Sequence, residues 1–169
     1  VAAAILGGFT VVTKKPPMTL LQIEPPKDLR IVVAMPTVQI TTRASRKALP
    51  KKIDLVEYAE GCARASMIVA ALASGQVTHF ANALEGSFVD QKRSRLIPGY
   101  DEVKKKAKKA GALAITLSGA GPSVAAILSR RSSAKKVGAA MKAGFRSAGI
   151  ESEIFTGRPA RGAQIVEVA

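Results

Sequence analysis

The sequence predicts an α+β fold, in which an antiparallel β-sheet has helices packed on one face. Short apolar runs typical of buried strands alternate with longer segments whose apolar residues recur at helical spacing. From residue 30 onward the order is strand, helices, strand, strand, helix, strand. This order matches a split βαβ, ferredoxin-like layout, because each helix can return the chain across the same face of the sheet.

The first residues are predicted to belong to a separate unit. The chain begins at Val1 inside an apolar helical pattern that Gly7-Gly8 closes. Because this start has neither a capping residue nor a basic n-region, we expect an upstream portion to precede it. Two β-rich runs, residues 9–13 and 19–24, follow as a hairpin with prolines in its turn.

The second unit opens with a buried strand and continues into helices. Residues 29–35 form the apolar run, which Pro36 ends, and the polar, basic residues 37–50 are expected to form a loop or short helix beside a cleft. Asp54 and Glu57 form a capping pair at the start of a helix that reaches about residue 73. A further helix follows and ends at Gly86.

The remaining elements are bounded by turn residues. Pro98-Gly99 predicts a turn, after which Asp101 or its neighbour caps a helix that stops at Gly111. Ser132 or Ser133 opens a strongly amphipathic helix that runs to Gly149. Two strands are predicted after it, at residues 151–156 and 162–169, with a loop between them.

One glycine-containing loop separates two strands and is the main candidate for a binding site. Residues 113–117 and 124–128 read as buried strands. The glycines permit positive φ and a close approach of the backbone to a ligand, and the serines add hydroxyl donors for an anion. An ordinary hairpin turn is the alternative. The loop consists of Ser118, Gly119, Ala120, Gly121, Pro122 and Ser123.

Two arginines are candidates for holding a carboxylate. Arg46 follows Thr42 by four residues, so both face the same way on a helical turn. Arg93 precedes a rigid Leu-Ile-Pro-Gly turn that fixes where its side chain points. The planar guanidinium binds a carboxylate through two hydrogen bonds, which lysine does not reproduce. Each arginine alone is typical of a solvated surface, but together with the loop they predict a site for a small anion beside a phosphate.

Composition and charge narrow the classes of partner. The chain is 47% hydrophobic, has a formal net charge of +14 and has one cysteine, Cys62, which is typical of a reducing, cytoplasmic compartment. No apolar run approaches the roughly 18 residues of a membrane span, so no membrane partner is expected. The basic residues are scattered and aromatics make up only 4%, which leaves few stacking platforms for nucleic acid. A non-catalytic basic module that binds nucleic acid remains the alternative class.

Ser-Gly-Ala-Gly-Pro-Ser between two strands resembles the third motif of the GHMP kinases. The chain is also similar to the homoserine kinases in that family, which carry Arg-x-x-Leu-Ile/Leu-Pro-Gly, as at residues 93–99. They also carry Thr-x-x-x-Arg ahead of Leu-Pro, as at Thr42, Arg46 and residues 49–50. The resemblance spans essentially the whole chain.

This resemblance implies a function and a division into domains. Residues 1–28 would be a remnant of the N-terminal GHMP kinase domain and residues 29–169 the C-terminal domain, with the strand at 162–169 returning to the first. The implied reaction is the transfer of phosphate from ATP, with Mg, to the side-chain hydroxyl of L-homoserine in threonine biosynthesis. Thr42, Arg46 and Arg93 would bind the acceptor beside the glycine loop. A homodimer is among the expected states.

The departures from the family pattern are equally informative. The nucleotide loop of the Pro-x-x-x-Gly-Leu-Gly-Ser-Ser-Ala type and the acidic residues for magnesium are absent. We therefore assign no catalytic residue and no metal ligand to this chain, and expect ATP and Mg to bind mainly to a preceding portion. The chain alone is expected to be inactive. Shikimate kinase and diphosphocytidyl-methylerythritol kinase remain alternatives, although the signature at residues 93–99 speaks against them.

Overall fold

The computed structural model describes residues 2–13 and 15–167 of the chain. Seven helices and six strands are found in these residues. In chain order they are α1 (Ala2–Leu6), β1 (Phe9–Val12), β2 (Leu20–Ile23), β3 (Arg30–Pro36), α2 (Thr42–Lys47), α3 (Leu55–Ala73), α4 (Val77–Leu84), α5 (Phe88–Ser94), α6 (Tyr100–Lys109), β4 (Ala114–Leu117), β5 (Val124–Leu128), α7 (Ala134–Arg146) and β6 (Ser152–Gly157).

The main sheet has four antiparallel strands in the order β4-β5-β3-β6. Strand β3 is central, so that Val32 pairs with Ala126 on one side and with Thr156 on the other. Counted from β3 as the first strand of the unit, the spatial order is second, third, first, fourth. This is the split βαβ arrangement, and the predicted α+β, ferredoxin-like fold class is confirmed.

The two faces of the sheet pack against different helices, because successive side chains on a strand point to opposite faces. Val32, Ile115 and Ala126 point towards α6 and α7, where Val103 and Phe145 are fully buried. The opposite face is covered in part by α4 and the C-terminal end of α3, and its contributing sheet residues are Ile31, Ala114 and Ile127. Helices α6 and α7 thus occupy the predicted face, and α4 adds a smaller layer behind the sheet.

Two details of helix boundaries differ from the sequence-based prediction. Helix α6 begins after Gly99, which has φ +80° and supplies no side-chain cap, so the predicted cap at Asp101 is wrong. Asp101 lies instead in the first turn, where a carboxylate interacts favourably with the helix dipole. Helix α5 had no counterpart in the prediction. Its N-cap is Ser87, whose hydroxyl accepts a hydrogen bond from the Asp90 N–H at 3.1 Å.

Helix α3 begins as predicted, but most of its apolar surface is exposed. Asp54 caps it by accepting from the Glu57 N–H at 2.7 Å. Leu55 and Val56 are 80% and 78% exposed, and burial is confined to the C-terminal end of the helix. Helical periodicity therefore identified the helix correctly, but no described segment packs against its first turns. No helix in residues 2–13 and 15–167 is long and apolar enough to cross a membrane.

The two ends of the chain contact each other. The predicted β1–β2 hairpin is formed. Gly7 bridges to Arg161, and the Ala163 N–H donates to the Ile5 carbonyl at 2.8 Å. Residues 162–167 form no strand, so the strand predicted over 162–169 is not found there; residues 168 and 169 lie outside the described residues. The reason is that this segment hydrogen-bonds to the end of α1 and adds to neither sheet. The domain division near residue 28 stays a prediction.

Helices α6 and α7 approach closely at Gly144, which generates a stability prediction. A Cβ at Gly144 would lie 2.5 Å from the Val103 Cα. We expect Gly144→Ala to lower the free energy of unfolding by about 1–3 kcal/mol through overpacking. Urea denaturation monitored by circular dichroism measures this change.

The matched control is Gly61→Ala in the exposed part of α3, where an added Cβ meets nothing within 4 Å. Here alanine should raise the free energy of unfolding by about 0.5–1 kcal/mol, because it restricts the unfolded chain and favours the helix. Equal effects at the two glycines would contradict the close-packing argument.

Candidate functional site

The loop between β4 and β5 has a compact backbone that leaves several amides free. The Ser118 N–H donates to the Ser123 carbonyl at 2.8 Å, and the Gly121 N–H donates to the Ser118 carbonyl at 3.2 Å. Gly119 and Gly121 have φ +65° and +78°, which a side chain at either position would disfavour. Within the described residues, the N–H groups of Gly119, Ala120 and Ser123 have no acceptor.

Helix α2 is attached to this loop by a buried serine. The Ser45 side chain is fully buried, and its hydroxyl donates to the Ala120 carbonyl at 2.7 Å. The helix itself starts at Thr41, whose hydroxyl accepts from the Ala44 N–H. The Ser45 contact therefore fixes α2 against the glycine loop. Sequence reasoning missed Ser45, although its position between Thr42 and Arg46 was a usable signal.

Arg93 connects the loop to α2. Its Nε donates to the Ser45 carbonyl at 3.4 Å and its Nη1 to the Gly119 carbonyl at 3.5 Å. Both distances exceed the range of about 2.7–3.2 Å that is typical of N–H···O hydrogen bonds, so both contacts are weak. A guanidinium has five N–H groups, so three of those of Arg93 are left over by these contacts. The residue lies in the last turn of α5 and is half-buried.

The structure brings together some of the predicted site residues and leaves others on the rim. Arg93, the loop and the backbone of α2 are in direct contact. Thr42 and Arg46 lie one turn apart on α2 and are exposed. At about 100° per residue, Thr42 lies roughly 60° around the helix from Ser45, and Arg46 roughly 100°. In the described part of the chain, the Arg46 guanidinium has no hydrogen bond or ion pair.

Sequence reasoning also missed a buried acid beneath the site. Asp90 is 8% exposed, and its Oδ2 accepts from the Thr116 hydroxyl at 2.5 Å and from the Leu117 N–H at 3.4 Å. Burial raises the pKa of Asp90 above its usual range, and the Thr116 hydrogen bond and the charge of Arg93 oppose that rise. The signal for Asp90 was its place at the third helical position after Ser87, which is a capping pattern.

The chemistry available at this site is that of an anion receptor. Three amides of the loop, the serine hydroxyls and the guanidinium of Arg93 are donors within one small region, and donors of this kind bind carboxylates and phosphates. In the described ranges, no three His, Cys, Asp or Glu side chains are grouped so as to hold a metal ion. The arrangement can therefore hold small anions such as a carboxylate or a phosphate.

Comparison with known proteins finds the same family, the GHMP kinases, that the sequence motifs resemble. The family model described as GHMP kinases C terminal matches residues 68–147. The chain is 37% identical to the homoserine kinase of Pyrococcus furiosus over 164 residues, which are 97% of this chain and 54% of the relative. It is 34% identical to the homoserine kinase of Arabidopsis thaliana over 88% of this chain and 41% of the relative.

Solved structures extend the comparison. The crystal structure of homoserine kinase from Cytophaga hutchinsonii superposes with a TM-score of 0.89 at 33% identity, covering 96% of this chain and 52% of that one. The structure of L. major mevalonate kinase in complex with R-mevalonate has a TM-score of 0.65 at 16% identity, over 95% of this chain and 52% of that one, and shares the fold alone.

These results, together with the sheet order and the glycine loop, show that the chain belongs to the GHMP kinase family. It corresponds to the C-terminal part of the proteins of this family. Within the family, the relatives just described at 33–37% identity are homoserine kinases. The chain spans about half the length of the curated relatives it matches.

The Ser45 contact generates a second stability prediction. Ser45→Ala removes the hydroxyl that binds the Ala120 carbonyl, and we expect the free energy of unfolding to fall by about 1–2 kcal/mol. Urea denaturation measures the change. Ser74→Ala is the control, because that hydroxyl is exposed and its two contacts, with the Ala70 carbonyl and the Gln76 side chain, are local; its effect should stay within about 0.5 kcal/mol. Equal losses would contradict the role given to Ser45.

The buried acid generates a pH-dependent prediction. A raised pKa means that the folded state holds the Asp90 proton more tightly than the unfolded state, so stability from the protonated form is lost as pH rises through the raised pKa. The charged groups that influence Asp90 are Arg93 and Lys104, and the nearby Tyr100 phenol stays neutral because burial raises its pKa. We expect the melting temperature of Asp90→Asn to rise relative to that of the wild type as the pH increases above about 4, the ordinary pKa of an aspartate. A difference that does not change with pH would contradict the burial argument.

Proposed function

We propose that this chain forms the acceptor-binding half of an ATP-dependent kinase that phosphorylates the side-chain hydroxyl of L-homoserine. Relatives that are named homoserine kinases and match 85–99% of this chain at 32–37% identity support the choice of substrate. The observation that carries the proposal is the contact of the Arg93 guanidinium with the Gly119 carbonyl. This contact supports the proposal because a guanidinium, which can bind a carboxylate, lies beside a loop whose free amides can bind a phosphate.

The acceptor carboxylate is assigned to the arginines. Arg93 keeps unused N–H groups after its two carbonyl contacts, and a planar guanidinium orients a carboxylate through paired hydrogen bonds. Arg46 and Thr42 lie on α2, which Ser45 fixes to the same loop. We propose that Arg46 adds a second positive charge and that the Thr42 hydroxyl binds a polar group of the acceptor. Holding the amino acid at its carboxylate end leaves its hydroxyl free to face the phosphate.

The loop is assigned to the phosphoryl group. Its free amides at Gly119, Ala120 and Ser123 can stabilise negative charge without the reorganisation that water would need. Phosphoryl transfer depends chiefly on positioning and charge neutralisation, which these residues provide on the acceptor side. ATP with Mg supplies the phosphoryl group when bound. The donor set described here fits a phosphate but not Mg, since the described residues contain no acidic cluster.

The proposal extends to the setting of the reaction. Phosphorylation of homoserine assigns the protein to threonine biosynthesis, and we infer a cytoplasmic location, to which the exposed, unpaired thiol of Cys62 is suited. A homodimer stays a prediction, and sedimentation equilibrium of the intact protein tests it.

Replacement of Arg93 tests the proposal directly. In the intact protein, Arg93→Ala should raise the homoserine KM by at least about tenfold, because a charge-assisted hydrogen-bonding group is lost, and should leave the ATP KM near its wild-type value. A coupled assay of ADP formation, with each substrate varied in turn, measures both constants.

Arg95→Ala is the matched control, since Arg95 lies two residues away, is exposed and, in the part of the chain that the structure describes, forms no hydrogen bond with the loop. It should change neither constant more than about twofold, as is usual for surface substitutions. An unchanged homoserine KM in Arg93→Ala would refute the assignment. ADP formation with shikimate or diphosphocytidyl-methylerythritol, and none with homoserine, would identify another kinase of the family.

A further inference from the structure

We infer that Asp90 is a positioning residue for the acceptor site. Its buried carboxylate connects α5, which carries Arg93, to the end of β4, and the glycine loop begins directly after that strand. The inference rests on the proposed function. Asp90 is neither one of the two arginines nor part of the loop, and it acts through Arg93 and the loop.

The geometry begins with the two hydrogen bonds of one oxygen. Asp90 Oδ2 accepts from the Thr116 hydroxyl at 2.5 Å and from the Leu117 N–H at 3.4 Å. These are the last two residues of β4, and the loop starts at Ser118. The carboxylate therefore holds the strand at the point where the backbone leaves the sheet, and this constrains the direction in which the loop begins.

The same carboxylate fixes the orientation of α5. This helix has only seven residues, too few to be stable by itself in water. Asp90 is its one buried residue among those described, while Val89 is exposed. The helix is thus anchored by a polar contact and by little apolar packing. Arg93 follows Asp90 by three residues, so both lie on the same face and any rotation of α5 moves the guanidinium.

The charge balance around Asp90 supports a functional reason for a carboxylate at this position. Burial opposes ionisation of Asp90, whereas the Thr116 hydrogen bond and the nearby Arg93 and Lys104 favour it. A buried charge of this kind contributes little net stability, because the loss of hydration offsets the interactions that it makes. The carboxylate does fix the orientation of the Thr116 hydroxyl and the Leu117 N–H, and it attracts the nearby guanidinium of Arg93. An apolar side chain would do neither.

The experiment uses the intact protein and compares two acids. Asp90→Ala should raise the homoserine KM by about five- to tenfold while the ATP KM stays within twofold, because Arg93 and the loop are displaced and the nucleotide side is not. Asp101→Ala is the matched control, since that exposed acid lies in the first turn of α6 and, among the described residues, forms no hydrogen bond with α5 or with the loop. It should leave both constants within twofold.

A second pair of variants tests the same contact from the strand. Thr116→Val removes the hydroxyl but keeps the shape and β-branching of the side chain, so the fold is retained. It should raise the homoserine KM about threefold to fivefold. Thr116→Ser keeps the donor and should recover most of that loss. A structural role alone would instead reduce kcat through the folded fraction, equally for both substrates, and would leave the homoserine KM unchanged.

Hydrogen exchange separates a failure of this inference from a failure of the proposed function. In Asp90→Ala and Thr116→Val, amide exchange should accelerate at residues 117–123 and in α5, and should stay at the wild-type rate in α7. If the wild-type protein forms no ADP with homoserine, the proposed function fails, and the exchange rates alone decide the positioning role. If exchange in the loop and the homoserine KM are both unchanged, or if Thr116→Ser behaves like Thr116→Val, the positioning role is overturned.

Discussion

The site depends on one physical constraint: two carbonyl groups of the β4–β5 loop are bound by side chains from other elements. The Ser45 hydroxyl holds the Ala120 carbonyl, and the Arg93 guanidinium approaches the Gly119 carbonyl. While these carbonyls are bound by α2 and α5, the amides of Gly119, Ala120 and Ser123 have no acceptor among the described residues and are free to bind a ligand. A loop without such contacts would alternate between conformations, and its amides would not form a preorganised receptor.

The rest of the fold makes that constraint rigid. All residues of β4 and β5 are buried, and the two strands pair with each other directly below the loop. Helices α6 and α7 support the sheet from one face, where Gly144 allows them to approach closely, and α4 covers part of the other. Binding groups placed on loops are effective when the elements that carry them do not move, and this sheet provides such a base.

The described residues of the site are mainly hydrogen-bond donors, which suits the acceptor-binding side of the proposed kinase. The site offers cationic and amide donors, which attract the carboxylate of an amino acid and the oxygens of a phosphate. The buried Asp90 carboxylate beneath it makes hydrogen bonds to Thr116 and Leu117. A kinase also needs groups that hold the nucleotide and its metal, and the chain spans about half the length of its curated relatives. The proposed function assigns acceptor recognition to these residues.

The sequence alone determined the elements whose signals are local. Caps such as Asp54 and Ser133, glycine stops and the apolar runs of β3, β4 and β5 follow from propensity and hydrogen bonding between near neighbours, so their positions were predictable. The order of these elements also fixed the sheet topology, because few connections satisfy the rules of chain crossing. The glycine loop and Arg93 were found in the same way, since each lies inside a short motif.

Only the tertiary structure decided which side chains meet. The bonds of Ser45 to Ala120 and of Asp90 to Thr116 join residues 75 and 26 positions apart, and no local pattern encodes such pairs. Helix α5 is short and anchored by a polar contact, so it lacked the apolar periodicity that reveals a helix. The exposure of Leu55 on α3 likewise depends on what packs against that face. Local sequence patterns reflect the secondary structure that a segment favours, whereas the burial of its side chains and their hydrogen-bond partners depend on the segments that surround it.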